Sequence, residues 1–293
     1  MTGNTGNTGN TGNTGNTGNT GNATSASGGW FFADRIDLPF VTEHSSAGFI
    51  AQQLRTVAAT PPFPPFPEHN WSADWFAWRV LIQFSTVPLA GTDPGPPPAT
   101  EAAINAEIAD LVRAAQNERA DALGEIIGQA AEFITYFMNL LTAAPSSYPQ
   151  TARVLNAASL VATFFEMHWK DHYQRARPSQ ICPALLPPIA VPGHSAYPSG
   201  HSTQAHLMAL CMGDVFAGLP AGQAPTAALQ TDLDVLARRI ARNREIAGLH
   251  YPSDSAAGKR LAESIFALLT VTAPTSPALY KAAVAGAVKE WTW

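Results

Sequence analysis

The stretch Tyr197-Pro198-Ser199-Gly200-His201 marks the start of a helix, and the other informative residues of the chain are arranged around it. Turn-forming residues are followed here by an apolar helical pattern that runs to Phe216. An anion at such a start would meet unpaired backbone N–H groups and the positive end of the helix dipole. Gly200 lets the backbone approach a ligand closely, Ser199 offers a hydroxyl, and His201 is a candidate proton donor. The stretch alone is also typical of an ordinary helix cap.

A pair of cations, Lys170 and Arg177, precedes this stretch. Their spacing of seven residues corresponds to two helical turns, so we predict that both project from one helix face. The helix is expected to span about Thr151 to Arg175 and to stop at Arg177-Pro178. Two cations on one face would serve one anionic ligand.

A third block contains Arg244, His250 and Asp254. Pro252 suits the first turn of a new helix, which places Asp254 in that turn and within reach of His250. A carboxylate bonded to one imidazole nitrogen fixes the tautomer and makes the other nitrogen more basic. Such a pair serves a nucleophile or a metal ligand.

In order and spacing, these blocks resemble the signature of the type 2 phosphatidic acid phosphatase (PAP2) superfamily, which also contains the vanadium-dependent haloperoxidases. The motif covers residues 170–254, and Asn243 stands where the family usually has a serine. The resemblance implies an α-helical bundle with a pocket for phosphate or vanadate. It implies His201 as acid or base, and His250 as the phosphohistidine nucleophile or the vanadium ligand. The anion-binding residues it implies are Lys170, Arg177, Ser199, Gly200 and Arg244.

Two enzyme functions follow from the resemblance. His194 lies seven positions before His201. This chain resembles the algal bromoperoxidases in carrying histidine there. The resemblance favours a haloperoxidase that oxidises bromide or iodide with hydrogen peroxide. Vanadate would then be the cofactor, bound through His250, and Lys170 would polarise the peroxide. The alternative is a soluble acid phosphatase that hydrolyses phosphomonoesters through a phosphohistidine and needs no cofactor. The position of His194 is equally consistent with an ordinary loop histidine.

The bulk composition excludes several functions. The chain has 293 residues, 46% hydrophobic and 13% charged, with a formal net charge of −5. It therefore has no general basic field for nucleic acid or an anionic membrane surface. No apolar run reaches the roughly 18 residues of a membrane helix, and we expect a soluble protein without a recognisable signal peptide. The two cysteines, Cys182 and Cys211, form either one bridge or two reduced thiols.

Residues 1–23 contain seven Thr-Gly-Asn repeats, and we predict a low-complexity tail there and one helical domain over 24–293. Repeats without apolar side chains cannot form a core, although glycine at every third position is also the collagen period. A third hypothesis is therefore a structural or assembly protein that forms homo-oligomers through this tail. Size-exclusion chromatography that shows the same oligomeric state with and without the repeats would exclude this hypothesis.

The remaining apolar periodicity predicts an all-α fold. Thr100 is predicted to cap a helix, and continuous helical periodicity is expected from Ile126 to Leu141. A buried helix is predicted over Asn70–Phe84, where Trp71, Trp75 and Trp78 recur at helical spacing. Further helices are predicted at about 200–216, 227–246, 252–271 and 277–291.

Overall fold

The computed structural model describes residues 66–84, 87–223, 227–271 and 277–292. Two compact units meet in sequence between Ser72 and Ala73. In the unit that ends at Ser72, the described residues form one 3₁₀ turn, Glu68–Asn70. The repeat tail and its predicted boundary at residue 23 lie outside the described residues, so the predicted domain division stays a prediction.

The described part of the second unit is helical and contains no strand, which confirms the predicted all-α class. Short 3₁₀ turns lie at Ala90–Thr92 and Pro183–Leu185. The α-helices are α1 (Ala73–Phe84), α2 (Glu101–Asn117), α3 (Arg119–Ala131), α4 (Ile134–Leu140), α5 (Pro149–Tyr173), α6 (Pro178–Ile181), α7 (Gly200–Ala217), α8 (Ala227–Ile246), α9 (Pro252–Thr270) and α10 (Ala278–Glu290).

Helix α7 forms the centre of this unit and packs against α5, α8 and α9. It is apolar on nearly every side, as a helix surrounded by others must be, and most of its side chains are buried. Its buried Gln204 donates hydrogen bonds to Ser159 Oγ at 3.1 Å and Thr163 Oγ1 at 2.9 Å, both on α5. Because α7 begins at Gly200, the stretch from Tyr197 to His201 lies inside the bundle.

Local sequence signals set several helix starts correctly. Thr100 Oγ1 accepts a hydrogen bond from the Ala103 N–H and caps α2, as predicted. Pro252 stands in the first turn of α9, where its missing N–H costs nothing. Helix α1 also forms, but Trp75 and Trp78 are 64% and 45% exposed, so the prediction that this helix is buried is wrong on that face.

Two predicted helices are interrupted. The periodicity from Ile126 to Leu141 belongs to two helices, because Glu132 is extended and ends α3. Helix α5 ends at Tyr173 rather than at the predicted position of about Arg175, because Gln174 adopts the left-handed conformation with φ 48°. Both breaks change the direction of the chain next to the site described below.

The contact between α7 and α9 requires a glycine at position 258. A Cβ there would lie 2.7 Å from Ser199 O and 2.8 Å from Ser202 Cβ, closer than atoms in contact tolerate. We expect Gly258→Ala to lower the free energy of unfolding by about 1–3 kcal/mol, the usual effect of overpacking. Urea denaturation measures it.

The matched control is Gly124→Ala on the exposed face of α3, where a Cβ meets nothing within 4 Å. That substitution should stabilise the protein by about 0.5–1 kcal/mol through helix propensity. Equal effects of the two alanines would show that the α7–α9 contact is not tight.

Candidate active site

His250 and Asp254 form a buried pair at the start of α9. His250 Nδ1 lies 3.2 Å from Asp254 Oδ2, and the same oxygen accepts the Tyr251 N–H at 3.0 Å. A carboxylate only accepts, so Nδ1 carries the proton and the lone pair is on Nε2. Burial, followed by Arg177 and Lys170, places the pKa of His250 well below its usual value. His250 is therefore a neutral imidazole with Nε2 available as a nucleophile or ligand.

Arg175 holds Asp254 from the other side. Its Nη1 donates to Asp254 Oδ1 at 2.6 Å, its Nη2 donates to Glu107 Oε2 at 2.8 Å, and the guanidinium lies 3.7 Å above the Tyr251 ring. Burial raises the pKa of Asp254, and Arg175 opposes that rise. Sequence reasoning missed Arg175, because its partner Glu107 is on the distant helix α2 and leaves no local signal.

Lys170 and Arg177 do not share a helix face, and that prediction is wrong. Lys170 is in the last turn of α5, whereas Arg177 lies beyond the left-handed Gln174 and precedes α6. The residue before a proline is biased toward extended backbone, and Arg177 adopts φ −75° and ψ 153° before Pro178. The two side chains are both buried, but they reach the site from different segments.

Arg177 binds the backbone and side chains that surround His250. Its Nη1 donates to Leu249 O at 2.9 Å and lies 3.4 Å from His250 Nε2. Its Nε donates to His194 O at 3.0 Å, and Nη2 lies 3.3 Å from His194 Nδ1. Burial lowers the pKa of Arg177 to about 10, so the guanidinium stays charged at neutral pH beside the His250 lone pair.

Lys170 fixes the loop that leads into α7. Its Nζ donates to Ser195 O and Ala196 O, each at 3.2 Å, and to Pro198 O. These three carbonyls match the three donors of an ammonium group. Burial lowers the pKa of Lys170 to about 8. Lys170 thus contributes its charge to the site while its protons hold the loop.

Arg244 brings donors that lack acceptors. It is fully buried, its Nη2 donates to Ile126 O at 2.8 Å, and within the described chain its Nε and Nη1 have no hydrogen-bond partner. Buried donors without partners are rare, because each costs about 1–3 kcal/mol. Burial lowers the pKa of Arg244 to about 10, which still leaves it charged. Two unpaired N–H groups on a buried cation are suited to an anionic ligand.

His201 stands at the start of α7 beside Phe133 and Gln129. Its Nε2 lies 3.0 Å from Gln129 O, and its ring stacks on Phe133 with centroids 4.7 Å apart. Because a carbonyl only accepts, Nε2 carries a proton. Burial and Arg244 place the pKa of His201 well below its usual value. The break between α3 and α4, which sequence reasoning missed, is what presents Phe133 to this ring.

Asn243, which stands where the PAP2 signature has serine, supports the residues around His201. Its Nδ2 donates to Gln129 Oε1 and to Glu125 Oε2, each at 2.9 Å. The amide thus ties α8 to the segment of α3 whose carbonyl accepts from His201.

Ser199 and Gly200 lie at the first residues of α7. The Ser199 side chain caps the helix by accepting from the Ser202 N–H at 3.5 Å. A Cβ on Gly200 would lie 2.5 Å from Glu166 Oε1, so a larger residue here would have to displace that carboxylate. Glu166 was missed from the sequence, although an acid inside the apolar part of α5, four residues before Lys170, was a usable signal.

His194 lies against Arg177, and its own pKa is lowered to about 4 by burial and by Lys170 and Arg177. Its Nδ1 is also 3.1 Å from Ser195 O. Within the described residues, its buried Nε2 has no hydrogen-bond partner. His194 is therefore a neutral residue of the same cluster.

Other chemistry-bearing residues lie elsewhere. His206 lines a separate cavity of about 220 Å³ with Asp234 and Lys259. Cys182 and Cys211 are both free thiols. The described residues contain no group of three or more His, Cys, Asp or Glu side chains arranged for a metal ion. None of the described helices is both long and apolar enough to cross a membrane.

Comparison with known proteins finds a likeness among solved structures. No family model matches the chain, and no curated protein matches it. One similar solved structure is a transmembrane PAP2 type phosphatidylglycerolphosphate phosphatase from Bacillus subtilis. The two are 15% identical with a TM-score of 0.47, over 68% of this chain and 94% of that chain.

Proposed function

We propose that this protein is a PAP2-type phosphatase that hydrolyses a phosphomonoester through a phosphohistidine at His250. The observation that carries the proposal is the neutral His250, whose Nδ1 is held by Asp254 and whose Nε2 faces Arg177 at 3.4 Å. A nucleophile oriented by a carboxylate is the arrangement that covalent catalysis requires. Arg177 and Arg244 supply fixed positive charge for the oxygens of a phosphoryl group.

The first step forms the phosphoenzyme. The lone pair of His250 Nε2 attacks phosphorus, the bond between phosphorus and the ester oxygen breaks, and the leaving oxygen takes a proton from His201. His201 Nε2 donates to Gln129 O, so the transferred proton is the one on Nδ1 of the doubly protonated ring. A bound phosphate dianion favours that charged ring, although burial opposes it in the free enzyme.

The second step releases phosphate. Water attacks phosphorus, the phosphorus–nitrogen bond breaks, and the proton of the water passes to His201. The products are inorganic phosphate and the original His250–Asp254 pair. Throughout both steps Asp254 keeps the proton on His250 Nδ1, because the carboxylate is itself fixed by Arg175 at 2.6 Å.

A second candidate function is a vanadium-dependent haloperoxidase that oxidises bromide or iodide. The observation that favours it is the buried His194 Nε2, which has no partner among the described residues and lies in the same cluster as Arg177. The donors of Arg244 and the lone pair of His250 fit vanadate as well as phosphate. Vanadate would supply Lewis-acid activation of peroxide without a change of oxidation state. We rank this function second, because His194 also serves a phosphatase by positioning Arg177.

One protein sample assayed in two ways tests the proposal. Hydrolysis of p-nitrophenyl phosphate that is inhibited by vanadate supports the phosphatase. Vanadate-dependent bromination or iodination with hydrogen peroxide, without ester hydrolysis, overturns it in favour of the haloperoxidase.

The substitution His194→Ala tests the role of this ring. We expect kcat/KM for p-nitrophenyl phosphate to fall about tenfold, mainly through KM, because Arg177 loses the ring that lies against its Nη2 and keeps the guanidinium in place. His194→Asn keeps a polar side chain at this position and should recover part of the loss. Selective loss of halide oxidation, with ester hydrolysis unchanged, would instead support the haloperoxidase.

The pH dependence follows from His250. Its Nε2 must be unprotonated to attack, and its pKa lies well below the usual value because of burial and Arg177. We therefore expect the acid limb of kcat/KM to lie well below the usual pKa of histidine, after correction for ionisation of the substrate. A profile of p-nitrophenyl phosphate hydrolysis from pH 4 to 9 measures it. An acid limb centred near 6.5 would mean that His250 behaves as an ordinary exposed imidazole.

A further inference from the structure

Glu166 is a buried acid beside Gly200, one of the residues expected to bind the anion. It lies on α5 one turn before Lys170 and is 1% exposed. Its carboxylate packs on Gly200, the first residue of α7, where an added Cβ would lie 2.5 Å from Oε1. The Glu166 side chain therefore stands at the helix start that suits an anion.

A hydrogen bond from Lys170 does not account for the buried carboxylate of Glu166. The three donors of Lys170 Nζ point to the carbonyls of Ser195, Ala196 and Pro198. Within the described chain, Glu166 Oε2 accepts no hydrogen bond. A buried charge without hydrogen bonds is unfavourable, so this carboxylate is poised to take up a proton.

The surrounding charges act on Glu166 from two elements. Lys170 comes from its own helix and Arg177 from the segment before α6, while α7 presents the uncharged Gly200. Burial raises the pKa of Glu166 to about 7, against the opposing effect of these two cations. The group therefore changes charge near neutral pH.

We propose that Glu166 is an internal anion that competes with the phosphoryl group for the same positive charges, so that a tetrahedral anion binds together with a proton taken up by Glu166. This inference rests on the proposed function for the identity of the ligand. An added anion near a carboxylate favours its neutral form. Anion binding is thus strongest where Glu166 is already protonated and weakens as the pH rises through its pKa.

Sulfate is the probe, because it is a tetrahedral dianion of constant charge over the pH range used. Isothermal titration calorimetry at pH 5.5 and 8.5, in two buffers of different ionisation enthalpy, gives both the affinity and the number of protons taken up. We expect wild type and Glu166→Gln to bind sulfate equally at pH 5.5. At pH 8.5 the variant should bind about tenfold more tightly and take up fewer protons.

The matched control is Glu290→Gln, since Glu290 accepts from the Gln150 and Thr151 N–H groups at the other end of α5. This control should keep the pH dependence of the wild type. The wild type alone also tests the proposal: no proton uptake with sulfate near pH 8 overturns it, whether or not the glutamine variant folds.

The two proposals fail separately. Ester hydrolysis together with sulfate affinities that vary with pH identically in wild type and Glu166→Gln overturns the role of Glu166 alone. If sulfate binding is coupled to proton uptake in the wild type but not in the variant, and the wild type hydrolyses no ester, the phosphatase alone is overturned. Failure of the wild type to bind sulfate at either pH overturns the role of Glu166, and together with the absence of ester hydrolysis it overturns both.

Discussion

The variant His250→Ala is expected to lose at least about 10³-fold in kcat for phosphomonoester hydrolysis. Alanine removes Nε2, the atom proposed to form the phosphoenzyme, while Arg177 and Arg244 remain to bind the phosphate. Affinity for inorganic phosphate should therefore fall much less than kcat. This difference separates loss of the nucleophile from loss of the pocket.

Trapping the covalent intermediate makes that result specific. Acid-labile, base-stable phosphate on the quenched wild-type enzyme is expected, and none on His250→Ala. His168→Ala is the matched control, because His168 is an exposed histidine on α5 and should retain wild-type rates. A phosphoenzyme on the alanine variant would place the nucleophile elsewhere.

The helices of this protein could be predicted because apolar side chains mark the buried segments and turn-forming residues mark their ends. Helix α7 is an example, since residues 200–216 were expected from the sequence and Gly200–Ala217 is observed. The break at Glu132 could not be predicted, because no glycine or proline marks it, and the contact of Phe133 with His201 beside it joins distant segments. The same limit applies to Gln174, whose left-handed conformation carries no glycine signal.

The site divides in the same way. The pairing of His250 with Asp254 lies within one helix start, so spacing and Pro252 were sufficient to predict it. Gln129, Arg175 and Glu107 enter through bonds between segments many residues apart, and nothing local identifies them. Lys170 was assigned as a direct anion ligand, a role that stays a prediction; in the structure its Nζ protons go to the loop carbonyls.

Asp254→Asn should have the second large effect, a loss of about 10³–10⁴ in kcat with little change in KM. Oδ2 accepts from the Tyr251 N–H and from His250 Nδ1, while Oδ1 accepts from Arg175. An amide cannot replace both oxygens. With its NH₂ group toward Arg175, two donors face each other. With its NH₂ group toward His250, the proton must move to Nε2, and the nucleophilic lone pair is lost.

Thermal denaturation beside the kinetics separates these two orientations. If the amide faces Arg175, the protein is destabilised and kcat is largely kept, because His250 retains its tautomer. If it faces His250, kcat falls and the Tyr251 N–H also loses its acceptor, but the charge-assisted bond from Arg175 is kept, so stability falls less, and we expect this orientation. Asp232→Asn, on the exposed side of α8, is the control and should leave both quantities unchanged. A folded Asp254→Asn variant with wild-type kcat would mean that the carboxylate does not set the tautomer of His250.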